Sequence, residues 1–314
     1  MAAIVLASTK DMPYEEWLEY RKLGIGGSDA SVVCGISRYK TPMELWMEKT
    51  DQIPQQEVGE PAYWGTLLES VVREEFTKRT GVPVRCLDQL LQSDTYPFML
   101  ANLDGVCDHP DLGPCGFEAK TASAYKTAEW EDTIPDEYQL QIQHYMAVTG
   151  YAGFYIAVLI GGNTFRWKFI RRDEELISML IELERSFWKH VQDGTPPQLD
   201  GSNASSKFLA DRFPVSVPKS QIILPDTAFG LIQRYDETCE RLKAITEQKQ
   251  EIENLLKQMM GENEIGTAED RIVTWKNVSQ ERLDSKTLKA EHPMLYRKYV
   301  NKTSYRRFAI KAAV

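Results

Sequence analysis

Two carboxylates and an amine, Asp104, Glu118 and Lys120, have the types and spacing that metal-assisted hydrolysis needs. Glu118-Ala119-Lys120 falls in the run 116–121 (GFEAKT), which reads as a short strand. Side chains two apart on a strand share a face, so Glu118 and Lys120 point the same way. Asp104 closes an apolar run, and the turn-rich stretch His109-Pro110-Asp111, Gly113-Pro114 separates it from Glu118. A hairpin between the two runs returns Asp104 to the pair. Hard divalent cations prefer carboxylate oxygens, and Mg2+ takes one or two of them together with phosphate oxygens. An amine beside them orients or deprotonates an attacking water. Spacing alone leaves a second reading open: a surface salt bridge between Glu118 and Lys120, with Asp104 in an ordinary turn.

Three other segments supply candidate partners. Residues 62–80 read as a helix closed by Gly81, with Leu68, Val71, Val72 and Phe76 on its apolar face. Glu69 falls among these positions. A carboxylate beside an apolar stripe is costly unless paired or metal-bound, which makes Glu69 a candidate third acid. Residues 11–23 read as a helix with Asp11 as cap and Pro13 just inside the start, and Gly24-Ile25-Gly26-Gly27-Ser28-Asp29 breaks it. Glycines leading into a helix capped by Ser28 or Asp29 offer amides, a hydroxyl and a favourable dipole to a phosphate, with Arg21 about one turn upstream. The same turn also serves as a plain bend between helices. Ile134-Pro135-Asp136 opens a helix closed by Gly150, on which Tyr138, Gln141, Tyr145 and Val148 recur at helical spacing while Gln139 and Gln143 fall on other faces. An inner-face Gln bonds a water or phosphate, or is simply a polar residue at the edge of the core.

The 314 residues, 42% hydrophobic and 26% charged, describe an ordinary globular chain. No apolar stretch approaches the ~20 residues of a membrane helix. The start has no charged region ahead of its short apolar run, so no signal peptide is expected and the cytoplasm is the expected compartment. Cys34, Cys86, Cys107, Cys115 and Cys239 are scattered, with no C-x-x-C, which fits unpaired thiols in a reducing compartment. A net charge of −9 argues against non-specific coating of nucleic acid but leaves room for a local basic patch. Residues 282–311 form such a patch: nine Lys/Arg against two acids, interleaved with Tyr296, Tyr299, Tyr305 and Phe308. That is the composition of a nucleic-acid groove, or of a solvated charged face.

The elements that must position these groups follow in order. Thr41-Pro42 starts a helix with Glu44 completing a capping box. Strands are expected over 84–91 and 98–106, ahead of the Glu118 strand. Residues 151–160 read as a fully apolar inner strand, turning at 161–163 into a partner over 164–170. A helix over 173–194 completes an α/β layout, with helices around a central mixed sheet. The core domain is expected to span 1–200. An extension over 201–314 follows, with a linker at 201–206, a long charged helix over 225–261 that has too few clean heptads for a coiled coil and reads as packing on the core or on another subunit, a hairpin at 264–276 and a last strand at 305–310.

The motifs WLEYRKLGIGGSDAS, YWGTLLESVVREEF, ANLDGV, FEAK and YQLQIQHYM, in that order, resemble the phage recombination exonucleases of the lambda exonuclease and YqaJ type, in the PD-(D/E)XK nuclease superfamily. The resemblance covers roughly the first 200 residues, with Leu103 where the superfamily name has proline. It implies a restriction-endonuclease-like core and a Mg2+-dependent 5′-to-3′ exonuclease. Such an enzyme degrades one strand of linear double-stranded DNA to 5′ mononucleotides and leaves a 3′ tail for recombination by strand annealing. By the same resemblance Asp104 and Glu118 hold one of two Mg2+ ions, Mn2+ substituting, with the Ala119 carbonyl as a further ligand. Glu69 shares the second ion, Lys120 orients or deprotonates the water, and Gln141 matches the helical glutamine. Arg21 and Ser28 would seat the terminal 5′ phosphate. The implied partners are 5′-phosphorylated duplex, two further copies in a homotrimeric ring and a single-strand annealing protein, in a bacterial host carrying the phage or prophage. Two other readings stand beside it. One is a structure-specific or Cas4-like nuclease, the latter needing iron–sulfur cysteines that these five do not provide. The other is a non-catalytic DNA-binding assembly protein, against which the intact set Glu69, Asp104, Glu118 and Lys120 speaks.

Overall fold

Two four-stranded sheets, each mixing parallel and antiparallel pairs, carry the first part of the chain. The computed structural model describes residues 3–53, 59–301 and 305–311 and divides into two units, Met1–Arg212 and Phe213–Val314. The first unit runs β1 (Ala3–Ser8), α1 (Tyr14–Lys22), β2 (Ile25–Gly26), α2 (Gly27–Val33), α3 (Pro42–Lys49), α4 (Glu60–Thr80), β3 (Gln89–Ser93), β4 (Met99–Asn102), β5 (Gly105–His109) and β6 (Gly113–Ala122). A 3-10 turn (Ala124–Trp130), α5 (Asp136–Thr149), β7 (Gly153–Ile160), β8 (Thr164–Arg171), α6 (Glu174–Gln192) and α7 (Asn203–Arg212) complete it. The sheet orders are β1-β3-β4-β2 and β5-β6-β7-β8.

Mixed sheets flanked by helices are the architecture the sequence implies, but the single central sheet is divided in two. The strand expected over 98–106 breaks at Leu103-Asp104: β4 belongs to the first sheet and β5 to the second. Gly105 sits at the break because a Cβ there would lie 2.5 Å from Val84 Cγ1 and 3.1 Å from the Arg85 carbonyl. The alternating side chains of β7 feed two cores. Val72 and Phe76 of α4 pack with Phe117 and Ala157 on one face. Ile142 and Met146 of α5 pack with Phe154, Ile156 and Val158 on the other. Phe76 and Phe117 are both 0% exposed, their centroids 5.0 Å apart. Burial of each contributes roughly 1.5–3 kcal/mol, enough to fix α4 on the sheet.

A buried polar tie fixes α5 on its other side. His144 Nδ1 is 2.8 Å from Glu184 Oε1 and Nε2 is 2.8 Å from the Leu100 carbonyl. The Leu100 carbonyl can only accept, so Nε2 carries a proton, while Nδ1 faces the Glu184 carboxyl, with neither side chain exposed. Burial alone would lower the His144 pKa, but Glu184 and the Leu100 carbonyl hold it above its ordinary value.

Several expectations are corrected. Asp11 does not cap α1; it takes a positive φ, and the helix begins after Pro13 without a side-chain cap. Leu68 and Glu69 are half-buried and Val71 is exposed; of α4 only Val72 and Phe76 enter the core against the sheet. The strand placed at 84–91 begins at Gln89 and pairs with β1, an element the sequence pattern did not mark. Gln143, assigned to another face, is fully buried and bonds the backbone at Arg171 and Asp173. Part of the linker read at 201–206 lies inside α7.

The second unit holds α8 (Thr227–Met260), the antiparallel hairpin β9 (Ile265–Ala268) and β10 (Arg271–Thr274), α9 (Ser285–Glu291) and α10 (Pro293–Tyr299). Residues 305–310, expected as a strand, have no strand partner among the described residues and are not one. Among the described residues of this unit only Met260 is buried. No described helix of either unit is long and apolar enough to cross a membrane.

Candidate active site

The site lies at an open edge of the second sheet. β5 pairs with β6 no further than Phe117, so residues 118–122 have β7 on one side and, among the described residues, no strand on the other. Asp104, one residue ahead of the β5 pairing, turns into that gap, and its Oδ2 accepts the Ala119 N–H at 2.8 Å. A strand residue's N–H and C=O point to the same edge, so the Ala119 carbonyl also faces the gap. Glu118 and Lys120 share the face predicted from their spacing, with Lys120 Nζ 2.6 Å from Glu118 Oε1. Gln141 of α5 donates to the same Oε1 at 2.7 Å and to the Tyr145 hydroxyl at 3.1 Å. Glu69 of α4 is bonded at 3.2 Å by Arg73, one turn on, which also donates to the Asp104 carbonyl at 3.1 Å.

Glu69, Asp104, Glu118 and Lys120 line one cavity of about 560 Å3, shared with Lys126 and Tyr138. The Lys120 ammonium sits over the Tyr138 ring at 4.9 Å. Burial, then the charge of Asp104, pushes the Glu118 carboxyl up to about 8. The same two causes push Glu69 up to about 7. Burial also raises Asp104, against the pull of Lys120 and the Ala119 N–H. For Lys120, burial is outweighed by Glu118 and Asp104, so its ammonium is held above the ordinary range.

Three crowded acids short of positive charge form the donor set a divalent cation relieves. Glu118 Oε2 is buried with no hydrogen-bond partner among the described residues, an oxygen left over for a cation. Among the described residues no three His, Cys, Asp or Glu side chains form a ready-made cage. Mg2+ does not require one, since it takes one or two carboxylates and completes its shell with water and phosphate.

A second cavity of about 160 Å3 also reaches Asp104 and Glu118, and is lined by Trp17, Arg21, Gly27 and Ser28. Arg21 Nη2 is 3.3 Å from Ser28 Oγ and 2.6 Å from Asp29 Oδ1. Lys49, 2% exposed at its side chain, bonds Asp29 Oδ2 at 2.9 Å and the Arg21 carbonyl at 2.6 Å. Two cations thus share one buried carboxylate, which leaves a positive surplus beside Ser28. The amide cradle expected from the glycines is partly occupied: Asp29 Oδ2 accepts the Gly26 N–H at 3.1 Å. Arg21 is further held over the Trp17 ring at 5.1 Å.

Gly27 keeps the two cavities in register. A Cβ on it would meet Tyr145 Cε1 at 2.4 Å, and Tyr145 is the partner of Gln141. Gly27→Ala is expected to cost about 1–3 kcal/mol through this overlap, read by denaturant unfolding. Unchanged stability would mean that the Tyr145 ring yields freely.

All seven side chains singled out in the sequence line these two cavities. Sequence reasoning missed Arg73, Trp17 under Arg21, Asp29 as an ion-pair partner, Lys49, and Tyr145 as the partner of Gln141. Arg73 and Trp17 carried a readable signal, the i,i+4 spacing to Glu69 and Arg21. Lys49 carried none, since nothing local marks a buried lysine at a helix end.

The profile of the YqaJ-like viral recombinase domain matches residues 16–152, a span that contains all seven. Over 315 aligned residues the chain is 42% identical to the uncharacterized protein YqaJ of Bacillus subtilis (strain 168), covering 98% of each. Among solved structures it is similar to an alkaline exonuclease, LHK-Exo, from Laribacter hongkongensis, at 21% identity over 57% of this chain and 93% of that one, with a TM-score of 0.47. A phage-related exonuclease from Haemophilus somnus 129PT is similar at 12% identity, over 57% and 99% of the two chains, with a TM-score of 0.40.

Proposed function

The chain belongs to the YqaJ-like viral recombinase family, and from that premise we propose that it is a divalent-metal-dependent 5′-to-3′ exonuclease of linear double-stranded DNA. The observation that carries this reading is the convergence of Glu69, Asp104, Glu118 and Lys120 on one cavity from positions scattered over the chain. Asp104, Glu118 and the Ala119 carbonyl would hold one Mg2+, and Glu69 would share a second. Bound there, the ions supply Lewis-acid stabilisation of phosphoryl charge and an acidified water.

The chain's own groups do the rest. Gln141 fixes the Glu118 carboxylate, and the Ala119 N–H fixes Asp104. Lys120, whose ammonium lies 2.6 Å from Glu118 Oε1, is placed to orient or deprotonate the attacking water or to donate toward a phosphate oxygen. Arg73 spans Glu69 and the Asp104 backbone and keeps α4 in register with the break between the sheets.

The neighbouring cavity supports the direction of attack. Arg21 and Ser28 lie beside the acids they share a cavity with, so a 5′ phosphate seated there puts the first phosphodiester near Asp104 and Glu118. Charge-assisted hydrogen bonds of this kind contribute about 1.5–3 kcal/mol each. Arg21→Ala is therefore expected to lower the preference for 5′-phosphorylated over 5′-hydroxyl ends by roughly 10- to 100-fold. Competition between the two substrates measures the ratio, and an unchanged ratio would reject the pocket. A homotrimer around the duplex, the basic residues of 282–311 on DNA, and a single-strand annealing partner for the 3′ tail belong to the same reading. It is tested by offering linear and covalently closed circular duplex. The linear form is expected to be consumed and the closed circle spared; cutting of the circle favours an endonuclease.

A further inference from the structure

The second unit contains almost no interior. Of its described residues only Met260 is buried, while α8 presents large apolar side chains to solvent along its length. At 34 residues and 1.5 Å per residue, α8 is about 50 Å long. Exposed apolar surface on that scale is unfavourable in water unless another surface covers it.

Seven of the nine large apolar side chains that α8 exposes fall on one stripe, Phe229 and Leu255 lying off it. Ala228, Leu231, Tyr235, Thr238, Leu242, Ile245, Lys249, Ile252, Leu256 and Met259 follow alternating steps of three and four, the a and d positions of successive heptads. Eight of the ten are apolar or aromatic, and Leu231, Leu242 and Ile245 are each more than 60% exposed. Phe308 of the same unit meets Tyr235 edge-on, with centroids 6.0 Å apart, and the stripe beyond it stays exposed.

We infer that α8 is a self-association element: two copies of this chain pair through their α8 stripes as an antiparallel coiled coil. The stripe is complementary to its own reverse. Run antiparallel, each a position meets a d position. Ala228 then lies opposite the partner's Met259, Leu231 opposite the partner's Leu256, Tyr235 opposite the partner's Ile252, Thr238 opposite the partner's Lys249, and Leu242 opposite the partner's Ile245. A small residue faces a long one at each end of the seam, and the one charged residue faces a hydroxyl.

The parallel arrangement instead sets Lys249 against the partner's Lys249, two like charges in one layer. In the antiparallel pair Lys249 keeps its ion pair with Glu253 of its own helix, 3.4 Å away, and its stem lies along the seam. A stripe ~50 Å long and ~10 Å wide on each copy removes on the order of 1,000 Å2 from water, where specific interfaces begin. Such a contact is isologous, so it closes on itself as a two-fold. The inference is independent of the nuclease reading, since no residue of the stripe lies in either cavity of the active site.

Sedimentation equilibrium of the full-length chain tests it. Leu242→Glu combined with Ile245→Glu is expected to halve the molecular mass of the parent assembly, with unchanged far-ultraviolet circular dichroism. Both side chains are exposed in the single chain, so the substitution removes no internal packing. Equal masses for parent and variant would overturn the self-association. Orientation is read by oxidative cross-linking in a Cys239→Ala background. Ala228→Cys together with Met259→Cys is expected to give a covalent dimer, and Ala228→Cys alone is not. A dimer from Ala228→Cys alone would overturn the antiparallel arrangement.

Discussion

Lys120→Ala is expected to lower the rate of hydrolysis by about 10^3-fold or more while duplex binding stays close to that of the parent. The size follows from removing a preorganised donor aimed at developing charge in a water-poor site, which typically costs 10^2 to 10^3 in rate. Here the same change also leaves Glu118 and Asp104 without their nearest cation, although Gln141 still holds Glu118 Oε1. Binding is expected to survive because affinity for DNA is spread over many phosphate contacts, of which one ammonium is a small share. Turnover of end-labelled duplex and a gel-shift titration in EDTA separate the two effects. Undiminished turnover would remove Lys120 from the mechanism, and loss of binding in step with loss of rate would make it a DNA contact.

Glu118→Gln carries the second large effect, on both cation binding and the pH dependence of stability. In the metal-free protein Glu118 holds its proton up to about 8, whereas an ordinary glutamate releases it near 4.5. Glu69 behaves alike, up to about 7. Over the window between the ordinary value and these raised ones the folded chain binds more protons than the unfolded chain. Stability is therefore fully present at low pH within this window and falls as pH rises through it. A cation competes with those protons, so its stabilising effect grows with pH. At a hundredfold excess over its dissociation constant it contributes about 2.7 kcal/mol, a rise of roughly 5–10 °C in Tm for a unit of this size.

Thermal unfolding of the parent in Mg2+ is thus expected to show a larger shift at pH 8 than at pH 6. In Glu118→Gln the Mg2+ shift is expected to vanish and the decline of metal-free stability with pH to flatten. The amide retains an oxygen that accepts from Lys120 and Gln141, so the fold is kept. An equal Mg2+ shift in the variant would place the cation elsewhere.

The sequence carried the short-range parts of this site well. Glu118 and Lys120 share a face because strand periodicity is local, and the capping box at Thr41 and Glu44 formed as read, with Thr41 Oγ1 3.0 Å from the Glu44 amide. What it did not carry depends on tertiary packing. The break between β4 and β5 falls inside residues 98–106, which read as one strand, and it is what swings Asp104 onto the open edge of β6. Glu69 was placed among buried positions because helical periodicity was assumed to be followed along the whole of α4. Its half-buried state reflects the open cavity that this part of α4 lines. Lys49 and Asp29 meet across 20 residues, and no local pattern encodes that pairing. In α8 the heptad steps were present in the sequence, but polar residues at two seam positions masked them until the exposure of the helix showed which face is unsatisfied.

The most direct test of the central claim is digestion of linear duplex labelled at the 5′ end or at the 3′ end, with Mg2+ or with EDTA. If the four converging side chains form a cation-dependent hydrolytic centre beside a 5′-phosphate pocket, the 5′ label appears at once as a mononucleotide. The 3′ label then stays in long single strands, and EDTA stops both events. Release of the 3′ label first, or cutting that persists in EDTA, would contradict the account.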